Sequence, residues 1–84
     1  MNRQFTLAGS SVVVIEETPD GCFLFEFRSD GFIADTWHLT IADAKIQAAY
    51  AFGSNLIPTW TPVPAHVTDL NAFALTTAPR RSLW

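Results

Sequence analysis

The chain has 84 residues; five basic and eight acidic side chains give a formal charge of −3, and aromatic residues make up 13% of it. That length predicts one domain, and the negative balance argues against a broad nucleic-acid-binding face. A single cysteine, Cys22, excludes an internal disulfide, no apolar run approaches the ~18 residues of a membrane helix, and no signal peptide is visible, so the expectation is a soluble, cytoplasmic protein with no membrane partner.

Residues 1–11 allow either a short strand, with Phe5 and Leu7 alternating with Gln4 and Thr6, or a flexible lead. Val12 to Glu17 is strongly β-forming. Thr18-Pro19-Asp20-Gly21 then reads as a turn, with proline presetting φ at its second position and glycine accepting a left-handed conformation at its fourth. This predicts a three-residue hairpin loop with a glycine bulge, setting Thr18 against Cys22, Ile15 against Phe25 and Val13 against Phe27.

Cys22 to Arg28 and Phe32 to His38 predict two more strands, joined at Asp30-Gly31. A type I′ turn centred there sets Ser29 against Phe32, Phe27 against Ala34, Phe25 against Thr36 and Phe23 against His38. Phe23, Phe25, Phe27, Phe32, Ala34, Thr36 and His38 then share one face that must be covered. Leu24, Glu26, Arg28, Ile33, Asp35 and Trp37 share the other, free to meet water. Glu26 falls opposite Asp35, with Arg28 near enough to relieve the repulsion. Cys22 falls on the side away from the phenylalanines, as an inert thiol.

Thr40 is suited to cap a helix over Ile41 to Phe52, with Asp43 in the first turn and Gly53 as the stop. Ile41, Ala44, Ala48, Ala51 and Phe52 cluster on one side of it. Small alanines there would let the helix approach closely, and it is expected to cover the phenylalanine face. Residues 54–66 carry Pro58, Pro62 and Pro64 with Trp60 among them. Thr59-Trp60-Thr61 is either a short edge strand or a strap packing Trp60 on the core. Thr68 or Asp69 caps a second helix over Leu70 to Leu75, with Leu70, Phe73 and Ala74 on its apolar side. Ala78 to Trp84 reads as a flexible tail with the one basic pair, Arg80-Arg81; Trp84 in it either docks or meets a partner. The whole is an α+β domain over 1–84: a three- to four-stranded antiparallel β-meander, one main α-helix packed on its aromatic face, and a short C-terminal helix.

The densest polar-aromatic run is Asp35-Thr36-Trp37-His38. Leu24, Ile33, Asp35 and Trp37 would project from the outer face, and tryptophan is a favoured interface anchor. With an exposed strand edge beside them, they point to a non-enzymatic interaction module whose partner is a second copy or another, unidentified protein. The alternative is a small-ligand-binding or hydrolytic domain using Asp35, His38, Tyr50 and His66 in a cleft between the helix end and the proline-rich strap. No nucleophile stands beside His38 in the sequence. His38 and His66 with Asp35 or Asp69 lack the tight spacing of a metal site, so neither metal nor cofactor is expected. Phe23, Phe25 and Phe27 are similar to the stacking aromatics of an RNA-binding sheet, but net charge and the expected helix cover argue against that partner.

Gly31-Phe32-Ile33-Ala34-Asp35-Thr36-Trp37-His38, followed by Ala44-Lys45-Ile46-Gln47-Ala48, Tyr50-Ala51-Phe52-Gly53, Trp60 and Val63-Pro64, resembles a group of small uncharacterised bacterial proteins. In these a strand ending Asp-Thr-Trp-His leads into a helix with an Ala-Lys-x-Gln-Ala core. The resemblance spans residues 31–75. It implies a bacterial origin and the strand-to-helix join, and it brings no activity with it.

Overall fold

Three hairpin loops of two residues each, Gly9-Ser10, Pro19-Asp20 and Ser29-Asp30, fold the first half of the chain into a meander with a ten-residue rhythm. The computed structural model describes residues 2–56 and 59–78. Its strands are β1 (Arg3–Ala8), β2 (Ser11–Thr18), β3 (Gly21–Arg28), β4 (Gly31–His38) and a two-residue β5 (Thr61–Pro62), in the order β4-β3-β2-β1-β5, with all pairings antiparallel. Helix α1 (Ile41–Phe52) ends in a short 3-10 turn at Gly53–Asn55, and α2 (Leu70–Thr77) comes last. The α+β class, the main helix and the short C-terminal helix are as expected. Arg3–Ala8 is an ordered strand paired along its length with β2, not a flexible lead.

The two registers read from the sequence are corrected. The Thr18–Gly21 turn has no bulge: Thr18 pairs with Gly21, Glu17 with Cys22, Ile15 with Leu24 and Val14 with Phe25. Pro19 and Asp20 are not among the residues with positive φ, and neither is Gly21. Glycine is required at 21 for space. A Cβ there would lie 2.6 Å from the Trp37 ring and 2.6 Å from the His38 carbonyl oxygen. The hydrophobic pattern prefers the bulged loop because it keeps Glu16 from facing Phe23, yet Glu16 does pair with Phe23. Val12, Val13, Val14 and Ile15 are apolar on both parities and so accept either register.

At the next hairpin the loop is Ser29-Asp30, and Gly31 takes φ +119° as the first residue of β4. Phe27 pairs with Phe32, but Glu26 pairs with Ala34, so Ile33 is left as a bulge. One extra residue moves every later side chain to the other face. Asp35 therefore pairs with Phe25, Thr36 with Leu24, Trp37 with Phe23 and His38 with Cys22. Asp35 and Trp37 stand on the phenylalanine face; Ala34, Thr36 and His38 stand on the other. Glu26 does not oppose Asp35. It accepts hydrogen bonds from the Ser11 hydroxyl at 2.8 Å and from Arg28 Nε at 3.3 Å.

Both sheet faces carry a helix, and the pairing of helix to face is the reverse of the one expected. Helix α1 is capped by Thr40, whose hydroxyl accepts from the Asp43 amide at 3.1 Å, and it ends at Gly53 with φ +53°. Its buried Ala44 and Ala48 pack with Val13, Ile15, Cys22 and Leu24, not on the phenylalanines. The small alanines meet the slimmer side chains, and Ile41, Phe52, Leu56 and Trp60 close the margins. The bulky face instead receives α2. Asp69 caps it, accepting from the Ala72 amide at 3.2 Å, and Ala74, Phe73 and Leu70 pack with Val12, Val14, Phe5, Leu7, Phe25 and Phe27. The chain changes sides at the edge strand β5. Trp60 before it joins the α1 layer, and Val63 after it joins the α2 layer. Lying mid-sheet between the two layers, β2 buries Val12, Val13, Val14 and Ile15 completely, each by about 1.5–3 kcal/mol relative to exposure. Ala78, assigned to the tail, is buried against the second layer; the expectations for Arg80, Arg81 and Trp84 lie outside the described residues.

Candidate interaction surface

The two edges of the sheet differ. β5 is two residues long and contains Pro62, with Pro64 just beyond; it cannot extend the ladder far. β4 is eight residues long, Gly-Phe-Ile-Ala-Asp-Thr-Trp-His, and among the described residues it pairs on one side only. It holds no proline and no lysine, the residues that usually blunt an edge. Asp35 and the Ile33 bulge are the protections it has. Apart from its end residues Gly31 and His38, β4 is exposed throughout, with Phe32, Ile33 and Trp37 at 49%, 40% and 45%.

Behind this edge lies a continuous aromatic row. Trp37 meets Phe23 edge-on, with centroids 4.8 Å apart at 71°; Phe23 stacks on Phe25 at 5.4 Å and 18°; Phe32 stands against Phe25 at 6.2 Å and Phe27 at 5.9 Å. Such pairs add about 0.5–1.5 kcal/mol beyond their burial. α2 covers the Phe27 end, and Phe5 and Phe73 meet there at 5.1 Å. Trp37 is 45% exposed, and among the described residues nothing covers its end of the row. In its midst, across from Phe25, sits the exposed carboxylate of Asp35, which has no hydrogen bond or ion pair among the described residues.

Of the residues expected at an interface, Ile33, Asp35 and Trp37 all lie on β4. Leu24 does not join them: it is 6% exposed beneath α1, because the bulge and the reversed helix layers turn its face into core. Phe23, Phe25 and Phe32 take its place. Their signal in the sequence was the alternation of phenylalanines, which reads equally well as core until the covering helix is placed.

The four residues of the alternative site sit on separate parts of the molecule. Asp35 stands on the α2 side of β4. His38 stands on the α1 side, its Nε2 2.7 Å from the Thr36 hydroxyl. Tyr50 is 86% exposed on the outer flank of α1, where Ile46, one turn earlier, is also exposed. His66 lines a shallow groove with Val67, Asp69, Phe73 and Thr76. A groove of about 110 Å³ between α1 and the β3–β4 pair is lined by Leu24, Ala34, Asp35, Thr36, Gln47 and Phe52 among others; of the four alternative-site residues it includes Asp35 alone. Among the described residues no three His, Cys, Asp or Glu side chains come together, and no helix is long and apolar enough to cross a membrane. The Cys22 thiol is buried, and its pKa is raised first by that burial and then by the carboxylates of Glu17 and Asp43. No family model, curated protein or solved structure matches this chain.

Proposed function

We propose that the protein is a non-enzymatic interaction module that associates with a second copy of itself along β4. The observation that supports this is the unequal treatment of the two sheet edges: proline and extreme shortness at β5, an open eight-residue strand with exposed aromatic and aliphatic side chains at β4. Backbone groups on an open edge are a template for another strand, and a two-fold axis is the usual way for identical chains to meet. Antiparallel pairing centred on Thr36 sets Asp35 against Trp37 of the partner subunit. Centring on Asp35 would instead oppose two carboxylates. The test is solution mass by light scattering across a micromolar dilution series, for the wild type and for Ile33→Lys, which places a charge on the edge without touching the core. A concentration-dependent dimer that the lysine abolishes, with the fold intact by circular dichroism, supports the reading. A monomer at all concentrations, or a dimer indifferent to both Ile33→Lys and Trp37→Ser, rejects it.

A further inference from the structure

We infer that the aromatic corner around Asp35 is a docking site for a cationic side chain, an arginine above all, presented by a partner polypeptide. This goes beyond self-association, since the rings and the carboxylate stand on the face of the sheet, whereas β4 pairs through the backbone of its edge. Trp37 stands at 71° to Phe23, and Phe23 lies stacked on Phe25, so the ring surface left open beside Asp35 is that of Trp37, 45% exposed. Asp35 rises beside them, opposite Phe25. A carboxylate flanked by aromatic faces suits a guanidinium in two ways. The planar cation can stack on a ring while its N–H fork meets both carboxylate oxygens.

The other described cations are already engaged. Arg28 donates to Glu26 at 3.3 Å, Lys45 Nζ sits 5.7 Å from the Trp60 ring centroid, and Arg3 reaches the Pro64 carbonyl at 3.4 Å. Asp35 has no such cation among the described residues, and neither has Glu16, which stands on the same face opposite Phe23; with the chain's net charge of −3 this favours the approach of a basic segment. Lysine would satisfy the charge but not the planar stacking, so arginine ranks above it.

The test uses N-acetyl-arginine N-methylamide as probe and the citrulline analogue, its neutral isostere, as control, each titrated into the full chain and followed by ¹H–¹⁵N NMR. The expected result is a saturable shift of the Trp37 indole N–H and the Asp35 and Phe25 amides, with Kd in the range of about 1–10 mM for a lone side chain. Citrulline should bind at least about tenfold more weakly, and so should arginine to Asp35→Asn, a substitution at an exposed position that keeps side-chain shape. Equal shifts from citrulline, arginine shifts that survive Asp35→Asn, or no shift up to about 50 mM overturn the inference. It is also overturned if a second copy fills the corner, in which case the probe binds only as the dimer dissociates. Ile33→Lys separates the two readings: it removes edge association and leaves the corner's response to arginine in place.

Discussion

Gly21 and Cys22 are neighbours in β3 with opposite constraints. At Gly21 the constraint is volume: the Trp37 ring and the His38 carbonyl already occupy the space of a Cβ. Gly21→Ala forces one of them aside, and overpacking of this kind costs about 1–3 kcal/mol. Urea denaturation measures the loss, and a shifted Trp37 indole resonance would show that the tryptophan is the side chain displaced. At Cys22 the constraint is charge. Burial, helped by Glu17 and Asp43, holds its thiol pKa above the ordinary value. In the unfolded chain the thiol ionises near pH ~8.5, while the native thiol keeps its proton. The contribution to stability is therefore complete below that pH and is lost as pH rises through the raised native value. Denaturation midpoints measured from pH 7 to pH 10 should fall more steeply for the wild type than for Cys22→Ala. Equal slopes would remove the thiol from the account.

At the scale of elements, caps and loops do different work. The Thr40 cap sets where α1 begins, and Thr40→Ala is expected to cost about 1 kcal/mol, read as a lower thermal midpoint with unchanged secondary structure. Ala44 and Ala48 set how closely α1 lies on β3. Ala48→Leu inserts three carbons where none fit and should cost ~1–3 kcal/mol, while Ile46→Ala, on the exposed outer side, should change stability by no more than about 0.5 kcal/mol. Much at this scale is legible in the sequence: β2, β3 and β4, the two turns that join them, the Thr40 cap and the Gly53 stop, while β1, β5 and the cap of α2 are each read only as one of two alternatives. What is not legible follows from parity. β2 is apolar on both faces, so its pattern accepts either register with β3. The Ile33 bulge has no composition that announces it, yet it turns Asp35 and Trp37 from the side shared with Leu24 to the side shared with Phe23. The choice of face for α1 fails for a related reason. Both faces of the sheet are apolar enough to need a cover, and the sequence does not say that the proline-rich strap carries the chain across the edge to bring α2 to the larger one.

For the molecule as a whole, a sheet clad on both faces but open at one edge predicts an uneven distribution of local stability. β2 is buried between two helix layers and paired on both sides, so its amides should exchange with solvent only through near-global unfolding. β4 is paired on one side, and its N–H groups that point away from β3 meet water. In a monomer these should exchange at rates close to those of free chain, alternating along the strand with protected neighbours that bond to β3. Pairing of β4 with a second copy would give the outward amides partners and slow them by the same factor by which the dimer is populated over the monomer. Native-state hydrogen exchange at two protein concentrations about a hundredfold apart therefore reads the interface directly. Protection that rises with concentration at alternate β4 residues, while β2 stays unchanged, locates the contact at this edge. Protection that rises instead on α1 around Ile46 and Tyr50 would move it to the exposed helix flank, and concentration-independent exchange throughout would leave the chain a monomer whose open edge awaits a different partner.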